Sequence, residues 1–424
     1  MSKTYLGTAE AAWRWVLDQV RYDEGTAAVP PSPGAEADPD HRDGMYDGVG
    51  GLALTLAEVR AVRAWTAEEQ RLADAIRAQV TAGIATSADC SLFHGLVSTI
   101  GTLTALGEPA PDAAVARLLA LVTPDGWPQT AIGPPRYLDG ARVSDVVLGT
   151  AGVLLGAVWA RRHGAEADEL AEVAAGILLA EREEVPSGLN WRMVPPRFSP
   201  VERQMPNFSH GLAGVATALA LAGAELGRPE WVAAALDGAR HLVALADLTG
   251  GGFRVPLRIP RLGDDFEEYS YGWCHGPAGT ALLWNALEHA GVSEVAGRTT
   301  AELRRRCTRT VRTCGLPERL RPGFWDNDGR CCGTAGVGAL LLDAGERDFA
   351  LHLADVLVDR AVPDGGGVCW RFTEHRAQEP LLPPGVGWMQ GAAGIAGFLF
   401  QAGRGGTAVP GMTNWWALTG PDQP

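Results

Sequence analysis

The hydrophobic pattern along the chain alternates between two kinds of segment. One kind is almost wholly apolar, as in GVATALALAGAEL after Ala213 and GTALLWNALEHAG after Ala278, and reads as helix buried around most of its circumference. The other is amphipathic, as in EEQRLADAIRAQVTAGI after Ala67 and DELAEVAAGILLAERE after Ala167, with charges spaced to give one wet face. Each apolar run opens on a glycine motif that recurs seven times: YDGVGGLALTL, LFHGLVSTIGTL, SDVVLGTAGVLLG, NFSHGLAGVATAL, YGWCHGPAGTALL, RCCGTAGVGALLL and GWMQGAAGIAGFL. The first glycines are Gly48, Gly95, Gly149, Gly211, Gly276, Gly333 and Gly391, spaced 47, 54, 62, 65, 57 and 58 residues apart. That period accommodates two helices and their connections. The second copy departs, with Ser98 where the others carry their second glycine.

Each repeat therefore predicts one exposed and one buried helix. The expected fold class is all-α, an α/α toroid with seven inner and seven outer helices and short β or loop insertions, occupying residues 1–424 as a single domain. A helical solenoid, with glycines serving only as packing notches, satisfies the same periodicity. In the toroid reading the glycines permit positive φ and close backbone approach, and inner-helix N-termini present free N–H groups to one cavity. Pro- and Gly-rich stretches at 29–44, 194–206 and 254–270 read as loops near that cavity, the last with extended strand character.

Composition narrows the function. The 424 residues carry 36 Lys+Arg against 50 Asp+Glu, a formal charge of −14 without any basic block, which argues against nucleic acid and anionic membranes as partners. Lys3 is the only lysine, a bias expected of a GC-rich bacterial genome. No uncharged apolar run is long enough for a membrane span, and Arg14, Asp18 and Arg21 interrupt any signal peptide, so a cytoplasmic location is expected. Seven cysteines, unevenly placed, fit reduced thiols or metal ligands better than disulfides.

Candidate chemistry gathers at the motifs. Cys331 and Cys332 directly precede Gly333, and Cys274 lies two residues before Gly276; if the repeats superpose, three thiols meet at adjacent helix starts. Three thiolates with no fourth protein ligand is the open pattern of catalytic zinc. Cys307, Cys314 and Cys369 lie off the motif and read as small buried hydrophobes. His210 occupies the position before Gly211, in register with Cys332, and a carboxylate such as Asp145 would fix its tautomer; Asp145 reads equally as a helix N-cap. His275 is expected beside the metal or substrate rather than on the metal, and His94 is a further cavity candidate.

The segments SHGLAG, WCHGPAG, CCGTAGVG and GWMQGAAGIAG, in that order along the chain, resemble the lanthionine synthetase C-like family, cyclases that form the thioether rings of lanthipeptides. The resemblance runs through all seven motifs. It implies a double α-toroid with one Zn²⁺ held by Cys274 and by the adjacent pair Cys331 and Cys332, the pair being Cys-His in most of the family. It also implies His210 as catalytic residue and Asp145 as its acidic partner. Many members carry Arg where Ser270 stands, which leaves Arg254, Arg258 or Arg261 as substitutes. The implied reaction is addition of a peptide cysteine thiolate to dehydroalanine or dehydrobutyrine, giving lanthionine or methyllanthionine. The repeats use almost all of the chain, so a stand-alone cyclase is expected, its partners a dehydrated precursor peptide and a separate dehydratase or kinase/lyase enzyme. Addition of glutathione or another thiol, and a non-catalytic peptide-binding scaffold, are the competing readings.

Overall fold

The computed structural model describes residues 4–129, 132–261, 268–318, 327–373, 381–406 and 409–411. Among them are fourteen α-helices, and the seven that follow the glycine motifs are α2 (Val49–Arg60), α4 (Leu96–Ala105), α6 (Thr150–Arg162), α8 (Leu212–Leu226), α10 (Pro277–His289), α12 (Thr334–Asp343) and α14 (Ala392–Arg404). The alternate seven are α1 (Tyr5–Leu17), α3 (Ala67–Gly83), α5 (Asp112–Leu121), α7 (Asp168–Ala180), α9 (Pro229–Leu245), α11 (Thr300–Thr313) and α13 (Arg347–Arg360). The two classes bury themselves as their patterns predict: every residue from Leu212 to Gly223 in α8 is buried, whereas α7 buries only Leu170, Ala171, Ala174, Ala175 and Leu178.

The chain forms two compact units. One comprises Met1–Ile84, Gly101–Pro109 and Gly315–Pro424; the other comprises Ala85–Ile100 and Ala110–Cys314. In the first, α14 packs on α1, α2 and α12, while α12 also carries α13. In the second, α8 packs between α6 and α10, and α6, α8 and α10 are backed by α7, α9 and α11 respectively.

Short antiparallel hairpins follow several outer helices: Glu183–Val185 pairs with Gly188–Asn190, and Val362–Asp364 with Gly367–Cys369. Each delivers a tryptophan back to its helix. The Trp191 indole donates to the Leu178 carbonyl at 2.7 Å, and Trp370 donates to Leu357 at 2.9 Å, so a buried ring satisfies a last-turn carbonyl that lacks an intrahelical donor. Trp127 does the same for Leu118 at the end of α5.

The loop expectations hold in part. Residues 29–44 contain no helix or strand, and 194–206 carry one short 3-10 turn, Pro196–Phe198. Of 254–270, the stretch 262–267 lies outside the described residues; the rest is tied by bridges rather than strands, Gln204 with Ile259 and Asp247 with Arg254.

The motif glycines require a correction. At Gly149, Gly211, Gly276, Gly333 and Gly391 the backbone is extended, not left-handed. Glycine is needed there because the preceding loop folds against the helix start: a Cβ on Gly211 would lie 1.9 Å from the Met205 carbonyl oxygen, and one on Gly214 would lie 2.0 Å from that of Phe208. Nor are the first N–H groups free. Loop carbonyls seven residues back accept them, as Ser144 does from Ala151, Asp145 from Gly152, Asp328 from Ala335 and Val386 from Ala393. The loop's own backbone caps the helix, a task usually given to a Ser or Asp side chain.

Candidate active site

Because each motif loop caps its own helix, the residue just before the first glycine is held at the helix start, and neighbouring loops are stitched to each other through the main chain. In one unit the Ser209 N–H donates to the Cys274 carbonyl at 2.8 Å and Leu92 donates to Val147 at 3.1 Å. In the other, the N–H groups of Arg330 and Cys331 both donate to the Met389 carbonyl, at 2.7 and 2.9 Å, and Met389 donates to Tyr46 at 2.9 Å. These bonds fix the loops that carry Cys274, His210, Cys331 and Cys332 without using any of their side chains.

Asp145 is fully buried, and its two carboxylate oxygens have separate tasks. Oδ1 accepts from the Leu148 N–H at 2.7 Å, and Oδ2 lies 2.5 Å from Nδ1 of His210. The contact with the imidazole is present, whereas the other oxygen closes a turn to Leu148, ahead of Gly149, and does not cap helix α6. The bond fixes the ring orientation of His210 and leaves Nε2 as the nitrogen not engaged by Asp145. His210 is half-buried, its side chain 24% exposed. The His275 ring lies 5.4 Å from that of His210 between centroids, inclined at 35°. Below this pair the Trp273 ring packs edge-on against Phe208 and Phe93 at 5.4 and 5.8 Å, an apolar floor under the two motif loops.

Cys274 is buried in one unit; in the other, Cys331 is buried and its neighbour Cys332 is exposed. A tetrahedral zinc with Zn–S bonds of about 2.3 Å separates its sulfurs by about 3.8 Å. The Cys331 and Cys332 sulfurs stand 3.4 Å apart, so the donor type and spacing fit zinc with small adjustment.

Of the cysteines set aside by sequence, Cys307 and Cys369 are buried as expected, whereas Cys314 is half-buried with its Sγ 3.1 Å from the Val311 carbonyl. Cys307 is fully buried and burial pushes its thiol up to about 12, while Cys369 rises to about 11 for the same reason. Of the arginines considered in place of the family's, Arg254 pairs with Asp247 and lies over the Tyr269 ring at 4.8 Å, and Arg261 stands 3.8 Å from Glu268. Sequence reasoning missed Arg330, whose guanidinium lies 4.6 Å above the Trp388 ring while its main chain anchors the cysteine pair. The signal was available, since an arginine opening an otherwise apolar motif needs a partner.

The profile of the family described as lanthionine synthetase C-like protein matches residues 39–412, and the chain belongs to that family. Among solved structures, nisin cyclase is similar over 86% of this chain and 89% of its own, with a TM-score of 0.54 and 14% identity. That likeness shows a shared α/α toroid fold. No curated protein matches the chain.

Proposed function

We propose that this protein is a zinc-dependent lanthipeptide cyclase that closes thioether rings in a dehydrated peptide. The observation carrying the reading is the adjacent thiol pair Cys331 and Cys332, 3.4 Å apart in one glycine motif, in a chain whose family match also spans the Cys274 motif; with Cys274 the set would use three of the four positions of one zinc. Cys274, Cys331 and Cys332 would hold the ion, which when bound lowers the pKa of a fourth, incoming thiol so that a thiolate exists at neutral pH.

The protein's own residues handle orientation and the proton. His210, held by Asp145 through Nδ1, presents Nε2–H to the reacting carbon. As the peptide sulfur bonds to the β-carbon of dehydroalanine or dehydrobutyrine, the alkene electron pair shifts toward the adjacent carbonyl. As imidazolium, His210 then gives its Nε2 proton to the α-carbon, and the proton released when the peptide thiol ionised returns the ring to the imidazolium form. One C–S and one C–H bond form, one S–H bond and one π bond are lost, and the mass is unchanged. His275, whose ring lies 5.4 Å from that of His210, would donate toward the developing enolate oxygen.

The reading is tested by incubating the purified protein with a dehydrated peptide containing one cysteine. Ring closure leaves the mass unchanged and removes the alkylatable thiol, whereas intermolecular thiol addition raises the mass. Cys331→Ala should abolish bound zinc and ring closure together while preserving the circular dichroism spectrum. A variant that lost zinc but cyclised at the parent rate would refute the assignment.

A further inference from the structure

Helix α11 has the sequence TAELRRRCTRTVRT, with Arg304, Arg305, Arg306, Arg309 and Arg312 against one acid, Glu302. In a chain of net charge −14 this is a local reversal of sign. Its apolar side is spent inward on Leu303, Cys307 and Val311. Arg305, Arg309 and Arg312, at i, i+4 and i+7, are exposed and share one face of the helix.

The acids around this face are already matched. Glu288 pairs with Arg304 at 2.7 Å, Glu302 with Arg306 at 2.8 Å, and Asp247 with Arg254. Arg305 and Arg309 have no carboxylate partner among the described residues. Like charges at i, i+4 oppose helix formation, so the stripe does not serve the helix that carries it.

We propose that the exposed face of α11 is a docking site for an extended peptide segment rich in Asp and Glu. The rise from Arg305 to Arg309 is about 6 Å and to Arg312 about 10 Å. In an extended chain every second side chain lies on one face, about 6.7 Å apart, so two alternating carboxylates meet Arg305 and Arg309 nearly in step, and a third, about 13 Å along, reaches past Arg312. Guanidinium groups bind such carboxylates in bidentate fashion. The size of the partner follows from screening. Over a Debye length of about 10 Å a short segment feels chiefly the stripe. A nucleic acid or an anionic bilayer extends far beyond it and meets the −14 of the whole molecule. This surface is independent of the proposed ring chemistry, and its test does not require catalysis.

The experiment is fluorescence anisotropy of a fluorescein-labelled alternating Glu-Gly peptide titrated with the full-length protein at low salt. Binding is expected, weakening as ionic strength rises. The combined variant Arg305→Gln/Arg309→Gln/Arg312→Gln should bind about tenfold more weakly. An equal loss of positive charge elsewhere, in Arg161→Gln/Arg228→Gln/Arg240→Gln, should change affinity by no more than about twofold. Thermal melts of both variants confirm that they fold; if the stripe variant does not, the single change Arg305→Glu carries the comparison. Three results overturn the proposal: undiminished binding by the stripe variant, equal losses in both triple variants, or binding of oligothymidylate or phosphatidylglycerol vesicles through the same arginines and more tightly than the peptide.

Discussion

Asp145 shows how one side chain can be decisive twice. Oδ1 closes the turn to Leu148 and Oδ2 holds His210, so removing the carboxylate and changing its chemistry should have different consequences. In Asp145→Asn the amide oxygen can still accept from Leu148, but the NH₂ then faces Nδ1 and favours the opposite imidazole tautomer. Fold stability should hardly change, while ring closure slows by about 10²–10⁴-fold, the range for losing a positioned acid or its orienting partner. Asp145→Ala loses the turn as well and should cost about 1 kcal/mol of stability in addition. Melting temperature and single-turnover rate, measured on both variants, separate the two tasks; equal rates in the asparagine variant and the parent would remove His210–Asp145 from the chemistry. Sequence left helix cap and imidazole partner as alternatives for Asp145, because spacing cannot show that one oxygen closes a turn just short of the helix while the other meets the imidazole.

At the scale of elements, the buried helices are set by backbone approach and their outer neighbours by amphipathic packing, and the same substitution should act oppositely on the two. Gly214 in α8 has the Phe208 carbonyl where a Cβ would stand, whereas Gly176 in α7 has nothing within 4 Å. Gly214→Ala should therefore destabilise by about 1–3 kcal/mol through overpacking, and Gly176→Ala should stabilise by roughly 0.5–1 kcal/mol through helix propensity; denaturant unfolding of the two variants checks both signs. The glycine motifs made the helix starts legible, yet the reason for glycine was not. Periodicity reveals that a small residue recurs and cannot reveal that a carbonyl six residues earlier excludes a methyl group. Helix α8 is also tied to its neighbours by charge. Glu225 receives His289 at 3.0 Å and pairs with Arg162. The hydrogen bond from His289, then that from Arg162, holds its carboxyl at about 2 against burial, which acts the other way. A depressed carboxyl contributes stability that is complete above its unfolded value of 4.5 and is lost as pH falls toward 2. Glu225→Gln should melt lower than the parent near neutrality, and the gap should close between those two values in a pH series of thermal scans. A gap that stayed constant would show that the charge at Glu225 does not stabilise the fold.

For the molecule as a whole, seven repeats of one glycine motif announced paired buried and exposed helices, because each marks a helix start, while the family, and with it the toroid rather than a solenoid, was legible from the Cys- and His-bearing segments SHGLAG, WCHGPAG and CCGTAGVG. The hairpins and their tryptophans were not legible. The segments SGLNWR and GGVCWR repeat the same device, a hairpin returning an indole to its helix, but at six residues each they carry too little pattern to be recognised without the bonds to Leu178 and Leu357. The thiol set was legible as positions, 274 in one motif and 331 and 332 in the next. Its proposed convergence on one ion has a thermodynamic corollary. Ligands separated by 57 residues in sequence form no site in an unfolded chain, so an ion bound by them favours the native state by an amount that grows with the logarithm of free metal. Chelation of the zinc-loaded protein should lower its melting temperature, and restoring equimolar zinc should reverse the change. At a hundredfold excess of free zinc over its dissociation constant the stabilisation is about 2.7 kcal/mol. Cys331→Ala should start from the lower value and not respond to chelator or metal. If that variant responded as the parent does, the ion would reside elsewhere, and the structural role given to these three sulfurs would fall with the catalytic one.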